Sequence, residues 1–152
     1  FDAGRLAPPA RANVATGYVP AVSDGDTFYV EIEGQRTRVR LAEVDAPESS
    51  QPFGRRSEQS LRELVWKKQV RVSWSETDRY GRPIVRVTAP DGTDVNAEQV
   101  RRGFAWVYRQ YAKDQSLYPL EAAARAARIG LWADSAPQPP WEWRKEHRAP
   151  SP

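Results

Sequence analysis

Three charged side chains that could take part in catalysis, Arg40, Asp45 and Glu48, lie within nine residues of each other. Carboxylates can bind a divalent cation or accept a proton from water, and a guanidinium can bind two oxygens of a phosphate at once. Residues 36–41 alternate between charged and apolar types, which predicts a strand, and Pro47 shortly after it cannot donate to a ladder. Rigid strand ends can hold functional side chains in place. An ordinary strand followed by a polar turn is the alternative for this segment alone.

A second acidic turn is predicted to lie beside this group. Residues 27–33 alternate as a strand, Gly34 follows as a turn, and the segment that ends in Asp45 returns as the antiparallel partner. Because Asp26 stands at the start of one strand and Asp45 at the end of the other, the hairpin brings both to one edge of the sheet. With Glu48 nearby, three carboxylates are predicted to converge, and a divalent cation would relieve their repulsion. Taken singly, each aspartate is more often a loop cap than a ligand.

Two arginines are predicted to stand near the same edge. Arg40 lies five residues before Asp45, and Arg82 follows the loop 78–81. Guanidinium groups stay charged and match phosphate oxygens, so with a bound cation they could stabilise an anionic, pentacoordinate phosphorus transition state. The alternatives are a salt bridge to the acids for Arg40 and a surface position at a turn for Arg82.

The composition narrows the metal chemistry that is open to this chain of 152 residues. It contains no cysteine, which excludes disulfides and thiolate metal sites, and its single histidine, His147, excludes multi-histidine zinc sites. Carboxylate and carbonyl oxygens are left, and these suit a hard cation such as calcium or magnesium. A net charge of +3 and a pI of about 9.4 suit a polyanionic partner, although a merely soluble surface would show the same balance.

The pattern along the chain predicts an α+β fold, a five-stranded OB-fold-type β-barrel with three helices. Strands are predicted over 17–22, 27–33, 36–41, 70–74 and 82–88, and helices over 55–67, 96–102 and 119–129. Residues 1–16 predict a flexible lead-in, 17–132 the domain, and the Pro- and Trp-rich residues 133–152 an irregular tail that is partly packed on it. No apolar run reaches membrane-spanning length. The start at Phe1 rather than Met predicts a removed upstream segment, either a cleaved secretion signal or an artificially trimmed end, and the first of these would give a secreted or periplasmic location.

Several motifs make the chain similar to a known family. They are Asp24-Gly25-Asp26-Thr27, Arg40-Leu41-Ala42-Glu43-Val44-Asp45-Ala46-Pro47-Glu48, Asp78-Arg79-Tyr80-Gly81-Arg82, Val95-Asn96 followed by Gly103-Phe104-Ala105, and Gly130-Leu131-Trp132. On these residues, from about Val19 to Trp132, the chain resembles the thermonuclease family, the staphylococcal (micrococcal) nuclease-like proteins. The Trp141-Glu142-Trp143-Arg144 segment of the tail also resembles bacterial members.

The resemblance implies a calcium-dependent nuclease that cleaves the P–O5′ bond of DNA and RNA and leaves 3′-phosphate ends. Asp26 and Asp45 resemble the calcium-binding aspartates, and Ala46 stands where a main-chain carbonyl contacts the metal. Glu48 matches the glutamate that deprotonates or orients the attacking water, and both roles remain open for it.

The same resemblance implies a set of phosphate-binding residues. Arg40 matches an arginine that binds the phosphate and its developing charge. Arg82 matches a second arginine, which stabilises the transition state and the leaving 5′-oxygen. Tyr80 matches a tyrosine that hydrogen-bonds a phosphate of the nucleotide.

The chain departs from the family pattern after Gly103. One position that stacks on a base holds Arg109, and the next holds Tyr111. Tyr108 could substitute for the missing aromatic ring. Base stacking contributes about 1–3 kcal/mol per base and tolerates any sequence, so a stacking residue is expected here. Trp106 is predicted to lie in the core instead.

A monomeric nuclease of low sequence specificity, acting on single-stranded or transiently opened DNA and RNA, is the leading hypothesis. No segment resembles a helix that reads base edges, so phosphate contacts should dominate and affinity should fall with salt. An OB-type module that binds nucleic acid without cutting it is the alternative. A metal-dependent phosphatase-like hydrolase of small nucleotides is a third possibility.

Overall fold

The computed structural model of the chain describes residues 12–148. Over that range the chain forms eight strands, four α-helices and one 3₁₀-helix, Gly130–Ala133. The strands are β1 (Asn13–Tyr18), β2 (Ala21–Asp24), β3 (Thr27–Ile32), β4 (Gln35–Leu41), β5 (Val44–Asp45), β6 (Gln69–Trp74), β7 (Ile84–Thr88) and β8 (Trp106–Val107). The helices are α1 (Gly54–Val65), α2 (Val95–Arg101), α3 (Leu117–Ala127) and α4 (Pro140–Glu146).

Six strands form one mixed sheet in the order β1-β6-β7-β4-β3-β2, and β5 pairs with β8 in a separate two-stranded ladder. All pairs in the large sheet are antiparallel except β4 with β7. The sheet curls until β1 lies against β3 at Gly17, where any Cβ would overlap the carbonyl oxygen of Glu31. The ladder nevertheless runs from β1 to β2 without closing and contains six strands, so the predicted five-stranded barrel is not confirmed.

The start of the chain differs from the prediction in two ways. β1 begins at Asn13, inside the predicted lead-in, while residues 1–11 of that prediction lie outside the described residues. The single strand predicted over 17–22 is the junction of β1 and β2, which lie at opposite edges of the sheet. Pro20 separates them because it has no N–H to donate to a ladder.

The β3–β4 hairpin sets the geometry of the sheet edge that matters most. Its register pairs Thr27 with Arg40, so the turn before β3 lies beside the end of β4. The parallel strand β7 approaches from the other side, and the Arg40 N–H donates to the Pro83 carbonyl at 3.0 Å. Three chain segments that are distant in sequence therefore meet at one edge.

The predicted helix count of three is wrong, because α4 lies in the stretch predicted to be an irregular tail. Pro140 stands in the first turn of α4, where a helical residue has no intrahelical partner for its N–H in any case. Pro140 is therefore compatible with the start of α4, although a proline in the interior of a helix would interrupt it.

A buried glutamine on a helix holds the turn between β2 and β3 in place. Gln99 of α2 is fully buried, and its Nε2 donates to the Gly25 carbonyl at 2.8 Å and to the Ser57 carbonyl at 3.2 Å. Its Oε1 accepts from the Ser60 hydroxyl at 2.6 Å. Gly25 itself lies so close to α1 that any Cβ would overlap the Ser57 hydroxyl. The acidic turn is thus held by two helices as well as by the sheet.

Replacing Gln99 with leucine is expected to lower the free energy of unfolding by about 2 kcal/mol, because buried carbonyls lose their donors. Urea denaturation followed by tryptophan fluorescence measures the change. Gln69→Leu is the matched control, since Gln69 is exposed on β6 and should leave the midpoint nearly unchanged. Equal midpoints for the two variants would contradict a structural role for Gln99.

Candidate active site

One arginine joins the two aspartates that the sequence singles out. Arg40 Nη2 donates to Asp45 Oδ1 at 3.0 Å and lies 3.5 Å from Asp26 Oδ2. The side chain of Asp45 is fully buried and that of Asp26 nearly so. A second bond, from Arg40 Nη1 to the Val44 carbonyl at 3.4 Å, orients the guanidinium. The structure therefore brings Asp26, Arg40 and Asp45 together at the edge defined by the hairpin.

Main-chain and hydroxyl groups also hold the Asp26 carboxylate. The Ala46 N–H donates to Asp26 Oδ2 at 2.8 Å, and the Thr27 hydroxyl donates to Oδ1 at 3.0 Å. Burial alone would raise the pKa of Asp26, but the charge of Arg40 and these hydrogen bonds lower it below its usual value. Asp26 is therefore an anion fixed at one place.

Asp24 belongs to the same cluster, although sequence reasoning included it only as part of a turn and a motif. The Asp26 N–H donates to Asp24 Oδ1 at 3.1 Å, which closes the turn between β2 and β3. Burial raises the pKa of Asp24 to about 8, and the negative charge of Asp26 adds to that shift. The spacing of two aspartates around one glycine was the available signal for this residue.

The main chain of Glu48 is held by a neighbouring glutamine. Its N–H donates to Gln51 Oε1 at 3.1 Å, and its carbonyl accepts from the Gln51 N–H at 2.9 Å. Gly54 at the start of α1 packs so tightly that any Cβ would overlap the Glu48 carbonyl oxygen. The Glu48 side chain is 35% exposed, so a fixed backbone presents a carboxylate to solvent.

An arginine from α4 reaches the same acids, and sequence reasoning did not identify it as a site residue. Arg144 Nη2 donates to Asp45 Oδ2 at 2.6 Å, and Nη1 donates to Asp45 Oδ1 at 3.0 Å and to Glu48 Oε1 at 2.8 Å. Burial raises the pKa of Asp45, and the hydrogen bond from Arg144 opposes that shift. The contact joins residues 99 positions apart, and the motif around Trp141 was the only signal for it.

Asp26, Asp45 and Glu48 are linked to one another through two arginines. Over residues 12–148, no group of three or more His, Cys, Asp and Glu side chains is arranged to hold a metal ion. The carboxylates are paired with guanidinium groups instead: Asp26 and Asp45 with Arg40, and Asp45 and Glu48 with Arg144.

Arg82 and Tyr80 lie on the loop that leads into β7, and both are held by Asp78. Arg82 Nε donates to Asp78 Oδ2 at 2.6 Å, and the main-chain N–H groups of Tyr80 and Arg82 donate to Asp78 Oδ1. Tyr80 is 68% exposed. Among the described contacts Arg82 is paired with Asp78 rather than with Asp26, Asp45 or Glu48, although the adjoining Pro83 carbonyl binds the Arg40 main chain.

The aromatic residues divide into covered and open rings. The Tyr108 ring stacks on Trp141 of α4 with centroids 5.4 Å apart, and the Arg40 and Arg144 guanidiniums lie 5.6 and 5.9 Å from its centroid. Tyr111 meets the edge of Tyr108 and is 58% exposed, so its ring is open to a ligand.

Arg109 occupies the position at which the family motif has a further aromatic ring. Arg109 pairs with the buried carboxylate of Glu121, which also accepts from the Val107 N–H at 2.7 Å. This pair fixes β8 against α3, so Arg109 has a structural role. Trp106 is buried, which confirms its predicted place in the core.

A sequence comparison decides the family. The family model described as "Staphylococcal nuclease homologue" matches residues 38–134, which include Arg40, Asp45, Glu48 and Arg82. The chain belongs to the staphylococcal nuclease family. It is therefore a nuclease, a hydrolase that acts on nucleic acids, and its fold is the OB-like fold of that family.

Relatives in the staphylococcal nuclease family cover most of the chain. It is 45% identical over 139 residues to the micrococcal nuclease of Shigella flexneri, covering 85% of this chain and 80% of the relative. It is 47% identical over 128 residues to an uncharacterized endonuclease of Escherichia coli O157:H7, covering 84% of each. Protein ParB of Escherichia coli is 41% identical over 151 residues, covering 93% of this chain and 85% of that protein.

Glu43 of this nuclease has a structural role that the sequence motif containing it does not indicate. Its Oε1 accepts from the N–H groups of Lys113 and Asp114 at 2.6 and 2.7 Å, and its Oε2 accepts from Arg86 at 2.6 Å. Its own carbonyl accepts from the Tyr108 N–H. Glu43 thus positions the loop that carries the aromatic residues.

No helix within residues 12–148 has the length and apolarity needed to cross a bilayer.

Proposed function

We propose that this nuclease is calcium-dependent and hydrolyses phosphodiester bonds of DNA and RNA with low sequence specificity, cleaving the P–O5′ bond to leave 3′-phosphate ends. The observation that carries the proposal is the pair of buried aspartates, Asp26 and Asp45, on either side of the Arg40 guanidinium. Anionic groups buried beside an arginine at a sheet edge form a compact electrostatic site for a cation and a phosphate.

The chemistry of the donor set fits a calcium ion. Asp26, Asp45 and the Ala46 carbonyl would hold it, and all three supply the hard oxygen ligands that calcium prefers. Burial, and after it the negative charge of Asp26, raise the pKa of Asp24, and a nearby divalent cation would favour its ionised form. A bound calcium ion would neutralise charge on the phosphodiester and so favour attack on phosphorus.

The remaining roles fall to three side chains of the proposed site. Glu48 accepts a proton from the attacking water or orients it, and its exposed carboxylate on a fixed backbone suits either role. As the water oxygen bonds to phosphorus, the P–O5′ bond breaks and the 5′-oxygen leaves with the bonding electron pair. It takes up a proton from solvent, to which Glu48 returns the proton that it accepted. Arg40 and Arg82 stabilise the charge on the phosphoryl oxygens and on the leaving oxygen.

Nucleotide binding is assigned to aromatic residues around this site. Tyr80 and Tyr111 are exposed and can bind a phosphate and stack on a base, respectively. Tyr108 is the weaker candidate for stacking, because Trp141 already covers one of its faces. These contacts carry no base-specific hydrogen bonds, so low sequence specificity is expected.

Incubation with single-stranded DNA and excess calcium is expected to give cleavage that a chelator abolishes. Asp26→Asn should lose most of that cleavage and weaken calcium binding measured by calorimetry, because a neutral amide is a poorer calcium ligand. Asp91→Asn is the matched control, since Asp91 is exposed at a turn remote in sequence from the site.

Three outcomes would contradict the proposal in different ways. Cleavage that is indifferent to the chelator would refute calcium dependence. Nucleic-acid binding without hydrolysis would support the binding module instead. Faster hydrolysis of mononucleotides than of polymer would support the phosphatase-like hydrolase.

A further inference from the structure

The α4 helix is attached to the site by a hydrogen bond, by aromatic contacts and by the ion pairs of Arg144. The Gln138 carbonyl just before it accepts from Gln51 Nε2 at 2.8 Å, and Gln51 is the residue that fixes the Glu48 main chain. Trp141 stacks on Tyr108 and meets the edge of Trp106 at 5.7 Å. These contacts hold the helix in one orientation, with Arg144 directed at the acids.

The Arg144 guanidinium is placed at the boundary between the buried acids and solvent. Both of its terminal nitrogens bind Asp45, which is fully buried, while its own side chain is 35% exposed. Its Nη2 also donates to the Tyr108 hydroxyl oxygen at 3.2 Å. An anion arriving from solvent therefore meets this guanidinium at the edge of the acidic cluster.

Asp45 is shared by two arginines. Arg40 and Arg144 both donate to its Oδ1 at 3.0 Å, so two positive charges meet on a single carboxylate oxygen. A cation held by Asp45 would compete with Arg144 for the same oxygens and would repel its charge. Once released from Asp45, the guanidinium keeps only Glu48 as an anionic partner through Nη1, so Nη2 is available to a phosphodiester oxygen.

We propose that Arg144 is a third phosphate-binding arginine of this active site, supplied by α4 in addition to Arg40 and Arg82. The inference rests on the proposed calcium-dependent nuclease function. Before substrate arrives, Arg144 pairs with Asp45 and Glu48; with cation and nucleic acid present, it binds a phosphate oxygen. Arg144 is thus a substrate-binding residue that also weakens cation binding in the absence of nucleic acid.

This assignment predicts opposite changes in two affinities when the charge is removed. In Arg144→Gln, the dissociation constant for calcium in the absence of nucleic acid should fall about tenfold, because a competing charge has gone. The dissociation constant for a single-stranded phosphorothioate oligonucleotide in calcium should rise about tenfold, because a charge-assisted contact has gone. The slope of log affinity against log salt should shrink by about 0.7, the value for one phosphate contact on a single strand.

Lys145→Gln is the matched control for these measurements. Lys145 is the next residue on α4 and is exposed, so the control removes the same charge from the same helix without touching the acids. It should change both affinities less than twofold. Arg144→Lys keeps the charge but lacks the planar fork, and it should restore the salt slope while binding oligonucleotide more weakly than wild type. Circular dichroism establishes that each variant is folded.

The two measurements separate this inference from its competitors. If Arg144→Gln bound both calcium and oligonucleotide more tightly, α4 would be an inhibitory segment and the proposal would be overturned. If neither affinity differed from the Lys145→Gln control, Arg144 would be a packing residue and the proposal would also fail. Absence of chelator-sensitive cleavage by the wild type would refute the proposed function, whereas calcium and oligonucleotide binding test Arg144 directly.

Discussion

Replacing Arg40 with glutamine is expected to lower the rate of nucleic-acid cleavage by at least 10²-fold and the free energy of unfolding by on the order of 3 kcal/mol. Arg40 is the only residue that contacts both Asp26 and Asp45 among the described hydrogen bonds. Its loss leaves Asp45, which is fully buried, with Arg144 as its remaining charged partner. The same change removes a guanidinium from the proposed phosphate site, so stability and activity fall together.

Urea denaturation in the presence of a chelator measures the change in the free energy of unfolding of Arg40→Gln without stabilisation by bound calcium. Initial rates on single-stranded DNA at saturating calcium measure the loss of cleavage. Arg38→Gln is the matched control, because Arg38 lies two residues earlier on the same face of β4 and is exposed. Wild-type cleavage by a folded Arg40→Gln protein would refute the assigned role, and an unchanged unfolding midpoint would refute the importance of the buried pair.

The part of the site that could be predicted from sequence is the part built by local structure. Asp26 and Asp45 are joined by one hairpin whose turn and alternation are visible in the sequence, so their meeting follows from the register. The bridge by Arg40 follows from the same strand. Pattern and turn chemistry are local properties, and a local pattern is sufficient when both partners lie on adjacent strands.

The parts that could not be predicted depend on contacts between distant segments. Arg144 meets Asp45 only because Trp141 packs on Tyr108, and no periodicity in the tail encodes that docking. Glu43 reads as one more charge on a polar stretch, yet it accepts two hydrogen bonds from a loop 70 residues later. Side-chain partners across the fold are set by tertiary packing, which the sequence pattern does not reveal.

The fold shows the same division between local and distant information. The strands with clear alternation, β3, β4 and β6, lie close to their predicted ranges. The two-residue strands β5 and β8 are too short to give a periodic signal, yet their pairing aligns Asp45 with Trp106 and so fixes the Asp45 main chain. The helix α4 was not predicted because the prolines of the tail indicated irregular structure. In sequence, a proline that begins a helix cannot be distinguished from one that breaks a helix.

Replacing Glu48 with glutamine is expected to slow cleavage by about 10²-fold or more while leaving stability and oligonucleotide affinity close to wild type. The amide keeps an oxygen that can accept from Arg144, and the main chain remains held by Gln51, so the site should keep its shape. What the amide cannot do is take a proton from water. Single-turnover rates on a short single-stranded DNA, with Glu146→Gln on α4 as the exposed control, measure the loss at the chemical step.

Comparison of Glu48→Gln with Glu48→Ala separates the two roles that spacing leaves open for this residue. An amide can still orient a water molecule through its oxygen, whereas a methyl group can do neither task. If Glu48 is a general base, both variants should lose activity to a similar extent, because neither can accept the proton. If the glutamine variant kept most of the wild-type rate while the alanine variant lost it, Glu48 would only orient the water. The loss expected above for Glu48→Gln corresponds to the first result, in which the step that fails is proton transfer rather than orientation of the water.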